Sequence, residues 1–483
     1  MTRARLFAVA LLAAACAEDV PGTPPPEQEV YFPLGAEVVT LDDAGEVLVV
    51  VNSNFDQRYN AGYVSTYSVE TLTSLAGSGD VTTFVDSLEA AFISRVRIEQ
   101  FGGDITLSDG TPRRVFVASR GRNVVTMIGL AEDGTLFCDD SPSAKRSDAF
   151  DCTAAHEVRT FADDPFPVAF VPQDGAGNAV ATLAVGHLTV RDLGIRSDAV
   201  VRTIEYPRYE ERVAQDVDPE VHVFDPTETS TIGREGFSQA QFSNNGGVAG
   251  LVFSPQAGFA ATDGSPAGRL LIASAGQLNV SNSLTIIAGI FEDGVLRASG
   301  TPLALDVATS AIQTRGIRAT ADGRRAYVGI RFQEGQTITQ FNSGVAIVDT
   351  SSASPQFVSV FEVGEEGSRP SLVERADARL LYIPDLRLDR IFILDVTNDE
   401  PTLVGSIVGR ANRVVNGEQI QARTLASPAQ VAFTADGNFG FVTNFLNSTI
   451  AVLDTSDPDP RKHRVIARLG RNIDPEGDME MPQ

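Results

Sequence analysis

Few residues in this 483-residue chain have the type and spacing to do chemistry. Its four histidines are His156, His187, His222 and His463, and none has a partner at a metal-ligand spacing such as His-Glu-x-x-His. Each reads as a histidine satisfied by packing or by solvent. Neither the Gly-x-Ser-x-Gly nucleophile elbow nor Cys-x-x-Cys-His occurs. Carboxylates abound, yet no two are marked out as the acid and base of a glycosidase. Asp349, Asp395 and Asp454 recur where an apolar run ends, in VDT, LDV and LDT. Recurrence at equivalent places points to turn capping rather than catalysis. The expectation is therefore no catalytic residue, no metal and no cofactor. One constellation suits ligand binding. Arg95, Arg97, Arg315 and Arg369 lie at or beside the start of runs that read as first strands of repeat units. If those strands surround an axis, the arginines form an anion-binding mouth in an acidic protein, where a cleft focuses the field. Ordinary surface ion pairs are the competing reading.

The elements that must position these residues are short strands in a repeating order. Near the end, Pro428 to Thr434 reads as a strand, Ala435-Asp436-Gly437-Asn438 as a turn, and Phe439 to Asn444 as a second strand. Thr449 to Asp454 and Arg464 to Leu469 follow as third and fourth strands. Alternation, β-branched residues and an Asp-Gly turn support hairpins. The order recurs upstream around Arg325–Ile330, Leu380–Pro384, Arg269–Ser274, Arg114–Ser119 and Val47–Asn52. A divergent copy runs through Pro167–Val171, Ala181–Val185, Leu188–Leu193 and Val200–Tyr206. Arg95 to Gln100 is assigned as the first strand of the second unit. Seven units of four strands predict an all-β fold, a seven-bladed β-propeller of four-stranded antiparallel blades. Ring packing covers the faces that single blades leave bare.

Phe441-Val442-Thr443-Asn444 followed by Thr449 to Asp454 resembles the YVTN-type repeat of bacterial surface and periplasmic propellers, a lactonase-like and WD-like architecture. Val49 to Asn52 and Tyr327-Val328-Gly329 are looser copies. The resemblance implies the fold and says little of activity, because this fold hosts many functions. The chain has no Trp, so the Trp-Asp signature of WD repeats is missing.

Arg3 and Arg5 precede an uncharged apolar run, Leu6 to Ala15, which is shorter than the ~20 residues of a spanning helix. This is the pattern of a secretory signal peptide. Cys16 follows directly, so the segment resembles a bacterial lipoprotein signal, departing from it where Ala13 stands in place of Leu. The resemblance implies lipidation of Cys16. Ala17 to Glu29 is rich in proline and acid and reads as a tether. The expected layout is residues 1–15 signal peptide, 16–30 lipidated cysteine and tether, 31–470 propeller, and 471–483 acidic tail. In an oxidising compartment, Cys138 and Cys152 are the pair left to form a disulfide, closing a short loop and contributing about 3 kcal/mol. The net charge of −25 argues against nucleic-acid partners.

Two functions fit. The first is a monomeric, lipid-anchored binding module of the bacterial cell envelope, meeting a protein or polymer partner through inserted loops. Tyr206, Tyr209, Phe224, Phe237 and Phe242, on inserted loops, are candidate contacts. The alternative is a lactonase-like hydrolase, as the resemblance implies, with its site at a channel mouth.

Overall fold

The computed structural model describes residues 28–59, 61–77, 82–109, 113–138, 150–151, 157–159, 164–172, 182–188, 201–205, 247–255, 268–274, 284–292, 295–298, 301, 303–305, 311–333, 341–415 and 418–472. Cys16, Cys152, the expected signal peptide and the 207–245 insertion lie outside these residues.

Strands of continuous buried character dominate. Val47 to Val51, Val115 to Ala118, Leu270 to Ala273 and Leu380 to Ile383 are buried along their whole length. A strand that is apolar on both faces must be covered on both. Successive side chains point to opposite faces, so each strand feeds two cores. Val47, Val49 and Val51 pack with Val115 and Val117 of the next sheet. The alternate residues Leu48 and Val50 pack with Ile450 and Val452 near the chain's end. Phe116 and Ala118 turn the other way, onto Val168 and Val185. Every hydrophobic cluster joins residues of neighbouring sheets in this fashion, and none belongs to one sheet alone.

The sheets are laid down in chain order, each beginning with its innermost strand. These inner strands are Pro33–Leu41, Gly102–Leu107, Pro165–Val171, Val248–Pro255, Ala311–Ala319, Ser371–Glu374 and Pro428–Phe433. The arrangement is an all-β propeller. Six of the sheets have four or five strands, and the third has three, Pro165–Val171, Thr182–His187 and Val201–Glu205. The expectation of seven four-stranded blades is therefore corrected to six complete ones. In the divergent unit Val201–Glu205 pairs directly with Thr182–His187, and residues 189–193 of the expected intervening strand lie outside the described residues. The third sheet packs between the second and fourth through its inner strand.

A second correction concerns the start of the second sheet. Phe92–Ile98 is not an inner strand. It pairs antiparallel with Gly62–Ser68 as the fourth strand of the first sheet. Arg95 and Arg97 therefore stand on an outer strand, away from the axis. The Asn412 to Thr424 insertion forms a hairpin of Arg410–Val415 and Glu418–Arg423.

Ring closure uses an unexpected element. Between the third and fourth strands of the first sheet lies a helix, α1 (Val69–Ala76), capped by the Ser68 side chain accepting from the Thr71 amide. The strand Thr83–Val85 follows and adds in parallel to Arg464–Leu469, the outer strand of the last sheet. This clasp covers an edge that would otherwise be open. Leu72 of α1 is fully buried among Ile450, Ile466 and Leu469. At the channel, Gln430 bonds both backbone groups of Ala36, donating to its carbonyl oxygen at 2.8 Å and accepting from its amide at 3.4 Å.

The strand-end acids cap turns, as their recurrence indicated. Asp349, Asp395 and Asp454 accept from the amides of Ser351, Thr397 and Ser456 at 2.8, 2.9 and 3.1 Å. His463 is held between the Tyr382 hydroxyl, 2.9 Å from Nδ1, and the Asp457 carbonyl oxygen, 2.7 Å from Nε2. A carbonyl only accepts, so Nε2 carries the proton and Nδ1 accepts from Tyr382. Burial pushes the imidazole below its ordinary value of 6.5.

Two outcomes follow. Leu72→Ala is expected to cost about 2–5 kcal/mol, read as a lower urea midpoint. Because the folded His463 resists protonation, its contribution to stability is full above pH 6.5 and is lost as pH falls through the folded value. Thermal melts from pH 7.5 to 5 are expected to show a declining midpoint, and His463→Gln should flatten that part of the decline.

Candidate functional site

A single register device shapes one mouth of the channel. Near its start, each inner strand carries one residue more than its partner. Pro33 pairs with Asn52 and Ala36 with Val50, so three steps on one strand match two on the other. The slip recurs between Gly102 and Ile105, Pro165 and Val168, Val248 and Gly250, Thr314 and Ile317, and Pro428 and Gln430. In the sixth sheet it falls between Gly367, bridged to Asp385, and Ser371, paired with Tyr382. A bulge of this kind re-aims side chains. The re-aimed residues Leu34, Asp104, Phe166, Ala249, Arg315, Arg369 and Ala429 all line one cavity of about 380 Å³.

The residue opposite the start of each bulge is polar in all but one sheet. The series is Asn52, Ser119, His187, Ser274, Asp385 and Asn444, with Ile330 in the fifth. These polar members are buried, and where their bonds are defined they hold the backbone entering the sheet. Asn52 accepts from the Tyr31 amide at 2.7 Å. Asn444 accepts from Ala426 at 3.2 Å and donates to the Thr424 carbonyl oxygen at 3.0 Å. Asp385 does most. Its carboxylate accepts the amides of Glu365, Glu366, Arg387 and Leu388 at 2.7, 3.1, 3.0 and 2.9 Å. One side chain thus anchors the loop bearing Glu366 and the turn bearing Leu386.

The cavity has an aromatic lip. Phe55, Phe101, Phe166 and Phe445 line it. Phe55 meets Phe101 and Phe445 edge to face, with centroids 5.9 and 5.4 Å apart, and Phe32 meets Phe445 at 5.2 Å. Phe55 remains 53% exposed. Phe101 and Phe32 have φ of 57° and 43°, a left-handed conformation that is costly for bulky side chains and clusters at functional sites. Leu388 and Leu446, in the turns that carry Leu386 and Phe445, are also exposed.

The charged floor comes from across the ring. Asp104, on the second sheet, pairs with Arg369 of the sixth. The same carboxylate also accepts from Ile105 and Val168 amides at 3.0 and 3.3 Å, tying the second sheet to the third. Burial holds the Arg369 guanidinium down to about 10, against the pull of Glu37. Gly316 (φ 111°) makes room for this arginine, since a Cβ there would stand 2.9 Å from its Cγ. Arg315 reaches Glu366 at 3.4 Å, and Arg331 reaches the same oxygen at 3.5 Å. Arg120 is paired with Asp164 at 3.0 Å. Beyond the floor, a second cavity of about 420 Å³ opens at the other end, bordered by Glu37 and Arg318. Burial raises Glu37 and lowers Arg318, and each opposes the shift of the other.

Of the four predicted arginines, the structure brings Arg315 and Arg369 together at the mouth and leaves Arg95 and Arg97 outside it. Arg95 lies over the Tyr63 ring, 4.9 Å from its centroid. Both mouth arginines face carboxylates, so the floor is mixed in charge. Cys138 is buried at the end of Leu136–Phe137, and its expected partner Cys152 lies outside the described residues. His187 is buried within the series of strand-end residues. The five aromatic candidates, Tyr206 and the four within 207–245, lie outside the described residues, and the lip instead uses phenylalanines that sequence reading passed over. The usable signal was positional, since Phe55 and Phe445 follow the VVVN and FVTN runs within three residues. Among the described residues no group of three or more His, Cys, Asp or Glu could hold a metal ion.

No protein-family model and no curated protein sequence matches this chain. Solved structures do match. Hydrazine synthase of Kuenenia stuttgartiensis aligns at a TM-score of 0.50 and 12% identity, covering 91% of this chain and 97% of that one. The periplasmic gluconolactonase of Pseudomonas aeruginosa aligns at 0.46 and 16%, covering 82% and 87%. A putative 6-phosphogluconolactonase of Bacteroides uniformis aligns at 0.42 and 14%, covering 76% and 84%. At such identities the likeness concerns the fold alone. The class is thus the β-propeller.

Removing the Asp385 carboxylate leaves four amides of the mouth loops without an acceptor. Asp385→Ala is expected to cost at least about 2–3 kcal/mol in equilibrium denaturation. Asp385→Asn, which keeps one acceptor oxygen, should recover part of that loss.

Proposed function

We propose that this protein is an exported, lipid-anchored binding propeller of the bacterial cell envelope, whose channel mouth receives a protein or polymer partner. In this reading Cys16 carries the lipid, residues 17–29 form the tether, and Cys138 with Cys152 staples one surface loop. The first described residues lie beside the last, with the Glu29 carboxylate accepting from the Arg471 amide at 3.2 Å.

One observation carries the binding reading, the phenylalanine lip, with Phe55 exposed, over a partly polar cavity of about 380 Å³. Binding cavities combine apolar walls with a few placed polar groups in this size range, and exposed aromatic rings are the usual anchors of an interface. The hydrolase alternative draws less from the mouth. Asp104 is occupied by Arg369 and two amides, and Glu366 faces two arginines. Both carboxylates are thus already held by protein groups.

The test places a photo-crosslinking amino acid at position 55, or at exposed position 357 on an outer strand, in the full chain expressed in a bacterium. The expected result is a defined adduct from position 55 and none from 357, in a membrane fraction from which Cys16→Ala releases the protein. Equal labelling from both positions, or none from 55, would overturn the binding assignment. Retention of Cys16→Ala in the membrane would overturn the anchor.

A further inference from the structure

Arg315 is the least satisfied cation of the mouth. Its one ion contact, to Glu366, is long at 3.4 Å and shared with Arg331. Its Nε is buried and, among the described residues, has no hydrogen-bond partner. A guanidinium has five N–H donors in a planar fork, and buried donors are normally bonded. Burial and the neighbouring Arg331 both press its affinity for the proton downward, opposed by Glu366. Glu366 is not placed to improve the contact. Its amide is bonded to Asp385 at 3.1 Å and its carbonyl oxygen accepts from Leu386 at 2.9 Å, which fixes the loop on both sides. Arg315 itself stands on the bulge between Thr314 and Ile317, so the register of the fifth sheet aims it into the cavity.

The walls above it are apolar. Phe55, Phe101, Phe166 and Phe445 share the cavity with Arg315. A ligand that enters must give this arginine an anion and give the rings a hydrophobic body. Asp104 and Glu366 also stand at the floor, so a doubly charged group is repelled where a single charge is accepted. Among singly charged anions the carboxylate matches the guanidinium fork bidentately.

Resting on the binding reading above, we infer that the mouth takes a terminal carboxylate joined to an apolar or aromatic body, with Arg315 as the carboxylate receptor and the four phenylalanines as the wall. This chemistry is shared by a free aryl or alkyl carboxylic acid and by the C-terminal residue of a peptide ending in an apolar side chain.

The experiment is calorimetric titration of the full chain at pH 7.5 with matched pairs of probes. One pair is 4-phenylbutyrate and its primary amide, and the other is acetyl-Leu-Phe with a free or an amidated C-terminus. The acid of at least one pair is expected to bind about 10- to 100-fold more tightly than its amide, the range for a hydrogen bond to a charged group. Which pair shows the difference identifies the source. Arg315→Gln should erase the difference and Arg315→Lys restore part of it, while Arg95→Gln on the outer strand leaves it intact. Equal binding of acid and amide, no binding of any probe, or an undiminished preference in Arg315→Gln would overturn the assignment. The acid–amide comparison needs no variant, so it stands even if a substitution disturbs folding. Crosslinking from position 55 is read separately, so a mouth that binds its partner without a carboxylate is told apart from a mouth that binds nothing.

Discussion

Everything at the mouth depends on one extra residue per inner strand. Without the bulge, strict alternation would send Asp104, Phe166 and Arg315 into the hydrophobic layers between sheets, where an unpaired charge costs several kcal/mol. With it, the apolar alternation is kept in the body of the sheet and broken only at the channel's end. The bulge is stabilised from outside the strand by a buried polar residue on its neighbour, Asn52, Asp385 or Asn444 in the clearest cases. The asparagine closing the FVTN run therefore has a physical role, since its amide satisfies backbone that has left the ladder.

The ring is also braced across its middle. Arg369 and Asp104 come from sheets that are not neighbours, and their contact spans the channel. Such a pair adds little net stability, because desolvation offsets the attraction. Its effect is geometric. It keeps the second and sixth sheets at a fixed separation, and the Val168 amide extends the connection to the third. The two cavities consequently remain separate compartments, each with its own mixture of charge.

The body of the fold was legible where alternation and turn chemistry agree. In the last sheet, Phe439–Asn444, Thr449–Asp454 and Arg464–Leu469 fall where their β-branched runs and the Asp-Gly turn put them. Gly102–Leu107 was passed over because GGDITL holds two glycines and a buried aspartate, and the neighbouring FISRVRI run has the stronger strand pattern. That one exchange misplaced Arg95 and Arg97. The lip was hidden for a different reason. Its phenylalanines sit in turns and at a bulge, where periodicity carries no information. Arg315 and Arg369 were found because they stand at or beside the start of true first strands, which is where the slip falls, although no pattern announces the slip. The helix α1 is eight residues long, too short for its period to stand out from the surrounding strands.

The clasp has a consequence for the order of events in the cell. Thr83–Val85 is made long before the strand it pairs with, Arg464–Leu469. The hydrogen bond from the Phe32 amide to Ser448 spans 416 residues in the same way. A chain emerging from the ribosome can build sheet upon sheet, but it cannot close. Until the C-terminal strands arrive, α1 presents Val69, Leu72 and Ala76 to water beside an unpaired edge. Loss of Arg464–Leu469 would therefore leave both ends of an open arc sticky, which makes formation of this one pairing, rather than accumulated stability, the condition for escaping aggregation.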